Sequence, residues 1–313
     1  MKRLSLVLLL IIAVALSGCI GNQEKQPSAG DIKASMLKAA GNVSSYDFTA
    51  SQNQSETADE FGINASPANA TVRIAYSEVT ASVDLAGHRA KADLVTKTSI
   101  KGPSELPTVS SSNGTQYNIG NVTYTRMDAE NWTQLRDPTP EGELWASGRY
   151  NALESRVEST NRSQFDILGT EAVDGQDCYK LKLVMDNATY AQTLYQTVNS
   201  AIFPFIANPN STRIASNSSI EALVWVDKGS FLLRRYEYNL GVTAVPDIVG
   251  IFDTSSGQMM TFNQSIKQSI KPVEISVDVN AIDHYYDFNQ PMSIAPPKEA
   301  LNSMAIAPVA AQK

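Results

Sequence analysis

The chain is poor in the residues that most enzyme chemistry uses. Its 313 residues include two cysteines and two histidines, His88 and His284. Two cysteines build neither a disulfide framework nor a four-thiolate zinc site, and two histidines leave little room for a multi-histidine metal centre. Charge is sparse as well. Only 18% of residues are charged, and 25 Lys and Arg face 32 Asp and Glu, a net charge of −7. An acidic chain of this kind lacks the basic surface that phosphate backbones need, so no nucleic-acid partner is expected. The G-x-S-x-G elbow, the phosphate-binding G-x-x-x-x-G-K loop, G-x-G-x-x-G and H-E-x-x-H are all missing. His88 sits where a strand begins and reads as solvent-facing. The one local group of potential ligands is Asp283-His284-Tyr285-Tyr286-Asp287. Strand alternation sends His284 to one face and Asp283, Tyr285 and Asp287 to the other, which is poor metal geometry. No catalytic residue, metal or cofactor is expected, and the chain reads as non-enzymatic.

What is present begins with an address. Lys2 and Arg3 precede Leu4 to Leu16, thirteen residues that are apolar except for Ser5. Such a run rises only about 20 Å as a helix, short of the roughly 30 Å hydrocarbon core, so it reads as a signal h-region. Leu16-Ser17-Gly18-Cys19 follows, and small residues before a cysteine at this point resemble a lipobox. Lipidation at Cys19 and removal of residues 1–18 are therefore expected. The mature chain would keep 23 basic against 32 acidic residues, a net charge of −9. No later stretch has eighteen consecutive apolar residues, so the lipid would be the anchor. Residues 19–30 then read as a polar tether. The expected location is the outer face of the cytoplasmic membrane or the cell surface, with the chain lipid-anchored.

A second compartment signal is the density of Asn-x-Ser/Thr sequons. Twelve of 21 asparagines begin one: Asn42, Asn53, Asn64, Asn69, Asn113, Asn121, Asn131, Asn161, Asn187, Asn210, Asn217 and Asn263. With 54 Ser and Thr in the chain, chance predicts about three to four, so the excess suggests N-glycosylation outside the cell. Lipobox and dense sequons together resemble an archaeal cell-surface lipoprotein.

Along the chain, strand patterns predominate. Asp31 to Gly41 reads as a short helix with Ile32, Met36, Leu37 and Ala40 on one face. Strands are expected over 71–76, 80–85 and 89–100, a Pro- and Ser-rich loop over 102–114, and short strands over 116–119, 122–127 and 132–135. Thr139-Pro140 starts a helix carrying Leu144, Trp145, Leu153 and Val157, with Gly148 placed to break it. Residues 165–171 and 178–185 form a hairpin across Val173-Asp174-Gly175. Cys178 in the second arm is expected to pack inward as a small apolar residue. Another hairpin joins 221–227 to 231–240, strands over 273–279 and 281–288 close the sheet, and a short final helix follows. This order reads as α+β, one antiparallel sheet with helical insertions.

One helix stands out for function. From Ala188 to Phe205, the residues Tyr190, Leu194, Val198, Ile202 and Phe205 recur every three to four positions. A strongly curved sheet, a half-barrel with helices over its concave face, would enclose an apolar cavity, and this stripe is the candidate lid facing a ligand.

Several segments resemble the LolA/LprG/LppX superfamily of envelope lipid- and lipoprotein-binding proteins. Val43-Ser44-Ser45-Tyr46-Asp47-Phe48 is similar to the end of its opening helix and first strand. Tyr117-Asn118-Ile119-Gly120, Tyr124-Thr125-Arg126 and Trp132 are similar to its short-strand signature. Gly169 to Leu181 resembles its G-x-E-x-V-x-G-x-x-C/A-Y hairpin. Val224-Trp225-Val226-Asp227-Lys228 with Leu233-Arg234-Arg235 resembles its W-I-D-x-x-T-x-x-P-x-R strand, except that Leu233 stands where the proline is usual. The likeness spans residues 31–300, with long insertions near 188–219 and 241–270, and leaves 301–313 as a C-terminal tail. It implies a membrane-anchored protein that binds a lipid, or the acyl chains of a lipoprotein, for carriage or presentation at the envelope. The alternative is a non-catalytic envelope sensor or structural interaction module that uses the same fold to bind a protein or glycan partner.

Overall fold

The structure, a computed structural model, describes residues 27–58, 71–102, 106–128, 130–146, 148–201, 205–253, 258–269 and 274–306. The signal segment, Cys19, Asn64, Asn69 and Ile202 lie outside these residues. Helix α1 (Ala29–Ala40) opens the described chain and leads into β1 (Ser45–Ala58), β2 (Thr71–Asp84), β3 (Arg89–Lys101), β4 (Thr108–Ile119), β5 (Val122–Met127) and β6 (Thr133–Arg136). Helices α2 (Glu141–Ala146) and α3 (Ala152–Arg162) precede β7 (Gln164–Val173) and β8 (Gln176–Val184). Then come α4 (Asn187–Ala201), β9 (Phe205–Ala207), β10 (Arg213–Ile214), β11 (Ser219–Asp227), β12 (Leu233–Val245), β13 (Ile248–Asp253) and β14 (Gln258–Thr261). The last elements are α5 (Gln264–Ser269), β15 (Ile275–Tyr286), α6 (Lys298–Leu301) and β16 (Met304–Ile306).

Thirteen strands form one open sheet in the order β16-β6-β5-β4-β3-β2-β1-β15-β12-β11-β8-β7, with β10 paired to the end of β12. All pairings in it are antiparallel except β16 with β6. A small second sheet runs β14-β13-β9. The α+β class with a predominantly antiparallel sheet is therefore as expected. No described helix is long and apolar enough to cross a membrane.

Alternation along the strands sorts the side chains onto two faces. On β15, Ile275, Val277, Ala281, Asp283 and Tyr285 are buried, with the even-numbered residues between them more exposed. The matching residues of β12 are Tyr236, Leu240, Val242 and Ala244. Two apolar clusters share this inner face. The larger packs Ile32 and Met36 of α1 and Leu153 and Val157 of α3 against Tyr46, Val83, Leu181, Val224, Tyr236 and Tyr285. The smaller packs Leu194 and Val198 of α4 against Leu240, Val242, Ala244, Ile275 and Val277. All three helices thus lie on one side of the sheet. On the outer face, Cys178 and Val173 bury against Trp225, so Cys178 packs as a small apolar residue, as expected.

Capping fixes several helix ends. The Ser28 hydroxyl accepts from the Asp31 N–H while Asp31 accepts from the Ser28 N–H, a capping box at α1. The break between α2 and α3 holds Gly148 at φ +73°, where a Cβ would lie 3.0 Å from the Ser155 nitrogen. The hairpin between β7 and β8 places Asp174 and Gly175 at φ 50° and 77°, the left-handed pair that a two-residue turn needs.

Several expectations need correction. The loop drawn over 102–114 is strand from Thr108 onward, because β3 offers it a full ladder of partners from Ile100 to Arg89. The two strands expected over 71–85 are one continuous β2, and those over 273–288 are one β15. His88 is not a strand residue facing solvent. It lies in the β2–β3 turn at φ 50°, stacks on Trp145 at 5.5 Å, and its Nδ1 is 2.6 Å from Glu141 Oε1. The helix drawn to Phe205 ends at Ala201, and Phe205 belongs to β9.

Candidate functional site

The structure divides the stripe that the period of 188–205 set out as a candidate lid. Leu194 and Val198 are 3% and 0% exposed against the apolar floor of β12 and β15. Tyr190 packs beside that floor, and its hydroxyl donates to Ser218 O at 2.7 Å. Ile202 lies outside the described residues, and Phe205 belongs to β9 rather than to the helix. Tyr195, which the stripe leaves out, donates its hydroxyl to Ala207 O at 2.7 Å.

Helix α4 is held mainly by docking. Its fifteen residues, NATYAQTLYQTVNSA, carry no charge, so it has no ion pair along its length. Thr193, Thr197 and Ser200 turn their hydroxyls back to carbonyls four residues earlier, an arrangement that offers little helix stabilisation. Asp186 supplies the cap, accepting from the Ala188 and Thr189 N–H groups at 2.9 Å, and these bonds hold its carboxyl below the usual range. Leu194 and Val198 are the only residues that the helix buries.

The floor under α4 is bounded by polar side chains. On β1, Gln52 donates to Gln54 and Gln54 to Glu56, which pairs with Arg73 at 3.4 Å. Between the two apolar clusters, Arg156 Nε donates to Asp283 Oδ2 at 2.7 Å, and its guanidinium lies 4.7 Å over the Tyr236 ring. Burial works to lower the Arg156 pKa, but Asp283 and Tyr285 outweigh it and keep the guanidinium firmly charged. Burial pushes the Tyr238 and Tyr285 phenols up, so both stay neutral. Register carries the inner face onward across β2, β3 and β4 as Ala75, Ser77 and Val79, then Leu94, Thr96 and Thr98, then Ser110, Ser112 and Gly114. None of these is fully buried. The polar row on β1 and this small-residue field were missed at the sequence level, although their even spacing, Gln52-x-Gln54-x-Glu56, was the available signal.

Among the described residues no group of three His, Cys, Asp or Glu is placed to hold a metal ion. His284 and Asp283 lie on opposite faces, His284 with its Nδ1 3.9 Å from Asp174 and Asp283 with Arg156. Of the sequon asparagines in described segments, Asn42, Asn53, Asn113, Asn131, Asn161, Asn187, Asn210, Asn217 and Asn263 are exposed. Asn121 is half-buried, with its Nδ2 donating to Asp137 O at 3.1 Å.

No protein-family model and no curated protein sequence matches the chain. Among solved structures it is similar to the lipoprotein LppX of Mycobacterium tuberculosis, with 11% identity over 87% of this chain and 100% of that one and a TM-score of 0.38. LprF of Mycobacterium bovis gives 14% identity over 87% and 98%, with a TM-score of 0.37. A putative outer membrane lipoprotein-sorting protein domain from Vibrio parahaemolyticus gives 11% identity over 85% and 95%, with a TM-score of 0.22. Likeness at this level carries no argument about the site, and none of these structures supports an archaeal origin.

Proposed function

We propose that the protein is a non-catalytic envelope protein, anchored through Cys19, that binds a lipid or the acyl chains of a lipoprotein beneath α4. In this reading the sheet curls into a half-barrel and α4 is a removable cover over its apolar floor. The observation that carries it is the pairing of an uncharged helix burying two side chains with a floor of Leu240, Val242, Ala244, Ile275 and Val277.

Magnitudes set the ligand class. Burying Leu194 and Val198 contributes about 3–6 kcal/mol together, and the two tyrosine hydroxyl bonds add about 1 kcal/mol each. A chain of ten CH2 groups entering the same space gains about 8 kcal/mol before ordering costs. A long acyl or isoprenoid chain can therefore displace the cover, whereas a short apolar molecule cannot.

The test uses the Cys19→Ser chain purified without detergent. Native and denaturing masses are compared, and a dansyl-labelled fatty acid is titrated into the delipidated protein. A stoichiometric mass difference identified as lipid, with saturable probe binding, is expected. A protein that is empty and also refuses the probe overturns the proposal. The second reading, an interaction module, would then stand on the inner face of β2 to β4, which none of the described helices α1, α3 and α4 buries and where Ser and Thr outnumber Val79 and Leu94.

A further inference from the structure

The face of the sheet opposite α1, α3 and α4 holds a cleft of about 970 Å3 between strands β3 to β5 and the segment around α6. Its chemistry is the reverse of the floor beneath α4. Among the described residues no Val, Leu, Ile or Met lines it; most of its lining side chains are polar, and its aromatic rings are Tyr117 and Trp132.

The polar groups are organised. Asp93 accepts from Lys91 Nζ at 2.6 Å and from the Thr115 hydroxyl at 2.8 Å, which fixes its carboxylate on the cleft floor. The Arg126 guanidinium lies 4.9 Å over the Trp132 ring and, among the described residues, makes no ion pair. It covers Trp132, which is 8% exposed, while the Tyr117 ring, 5.9 Å away, is half-buried and lines the cleft beside it. Two cations and three carboxylates share the lining, Lys91 and Arg126 with Asp93, Glu130 and Glu299. That pattern creates no uniform field for an anion or a cation. It offers planar, forked donors and acceptors, each able to hold two neighbouring hydroxyls, beside an aromatic face that packs on C–H groups.

We propose that this cleft is a saccharide-binding site for an uncharged, hydroxyl-rich sugar chain, with Tyr117 stacking on a pyranose face and Asp93 and Arg126 binding its hydroxyls. Asn131, a sequon asparagine, is exposed on the rim. The sugar therefore has two possible sources, a glycan on Asn131 itself or a polysaccharide of the envelope.

The experiment titrates the Cys19→Ser chain, made in a host without N-glycosylation, with mannotriose, chitotriose and maltotriose by calorimetry. One of them should bind saturably at one site per chain, and Tyr117→Ala or Arg126→Ala should weaken it at least tenfold. Tyr117→Phe keeps the ring and should keep binding, which separates loss of the site from loss of the fold. Binding that none of these substitutions weakens, or no binding by any of the three sugars, overturns the proposal. The chain from a glycosylating host separates the sources. Probe binding that appears only after Asn131→Gln assigns the cleft to its own glycan, and equal binding with and without that substitution assigns it to an external saccharide.

Discussion

Removing the two hydroxyls that tie α4 to its surroundings should loosen the cover without touching its apolar contacts. Tyr190 donates to Ser218 O and Tyr195 to Ala207 O, both at 2.7 Å. In the double variant Tyr190→Phe, Tyr195→Phe both rings remain and only these bonds are lost. Each is worth about 1 kcal/mol net, so the docked helix loses about 2 kcal/mol, a factor of about 30 in its opening equilibrium. Hydrogen exchange followed by mass spectrometry should show peptides within 187–201 exchanging about 30-fold faster. Amides of β12 and β15 should hold their protection, because their ladders do not depend on α4. The affinity for a dansyl-labelled fatty acid should rise by a similar factor, since the ligand no longer works against those bonds. The reasoning fails if α4 and the central strands exchange together in the parent protein and accelerate together in the variant. The helix would then be ordinary core, opening only when the whole domain unfolds.

Three further outcomes follow from the interior. Asp283→Ala leaves Arg156 against the Tyr236 ring without its carboxylate and should cost about 2 kcal/mol in urea unfolding, less than for a fully buried pair because the arginine is partly exposed; the pair Asp283→Leu, Arg156→Met should recover most of it. Cys178 is buried, and burial pushes its thiol up to about 11, so it should resist iodoacetamide at mildly alkaline pH and react fully once the chain is denatured. Burial works to raise the Asp227 carboxyl, but the Ser230 N–H and O–H, Arg234 and the Gly229 N–H outweigh it and leave it depressed. A depressed carboxylate stabilises the fold above its unfolded value near pH 4, and that contribution is lost as pH falls through the folded value. Asp227→Asn should therefore flatten part of the acid limb of stability against pH and leave the neutral region parallel; an unchanged acid limb would contradict this role.

The sequence showed local signals well and tertiary ones poorly, for physical reasons. Helix α1, the Gly148 break and the Asp174-Gly175 turn depend on caps, φ preferences and period, all written within a few residues. Strand β4 was hidden because Ser110, Ser111, Ser112 and Gly114 have little strand preference of their own; β3 imposes the conformation along all of them, and β5 joins only from Gly114 onward. Phe205 was drawn into the helix by its spacing, although Pro204 disfavours helix in the residue before it. At the candidate site, Leu194 and Val198 were readable as one stripe. The floor they meet was not, since it joins β12 and β15, which lie far apart in sequence.

The place of β1 in the sheet governs the order in which the molecule can assemble. It joins β2 on one side, its neighbour in the chain, and β15 on the other, with Asp47 opposite Tyr286. That seam divides the sheet into an early meander, β1 to β6, and a late half made of β7, β8, β10, β11, β12 and β15. Apart from the late addition of β16 to β6, the meander pairs only nearby strands and can form while the rest of the chain is still emerging. The seam has to wait for nearly the last residues, and contacts so distant in sequence form slowly. Until then both long edges of β1 and β15 stand open, and pulse-labelled exchange during refolding should find their shared amides among the last to be protected.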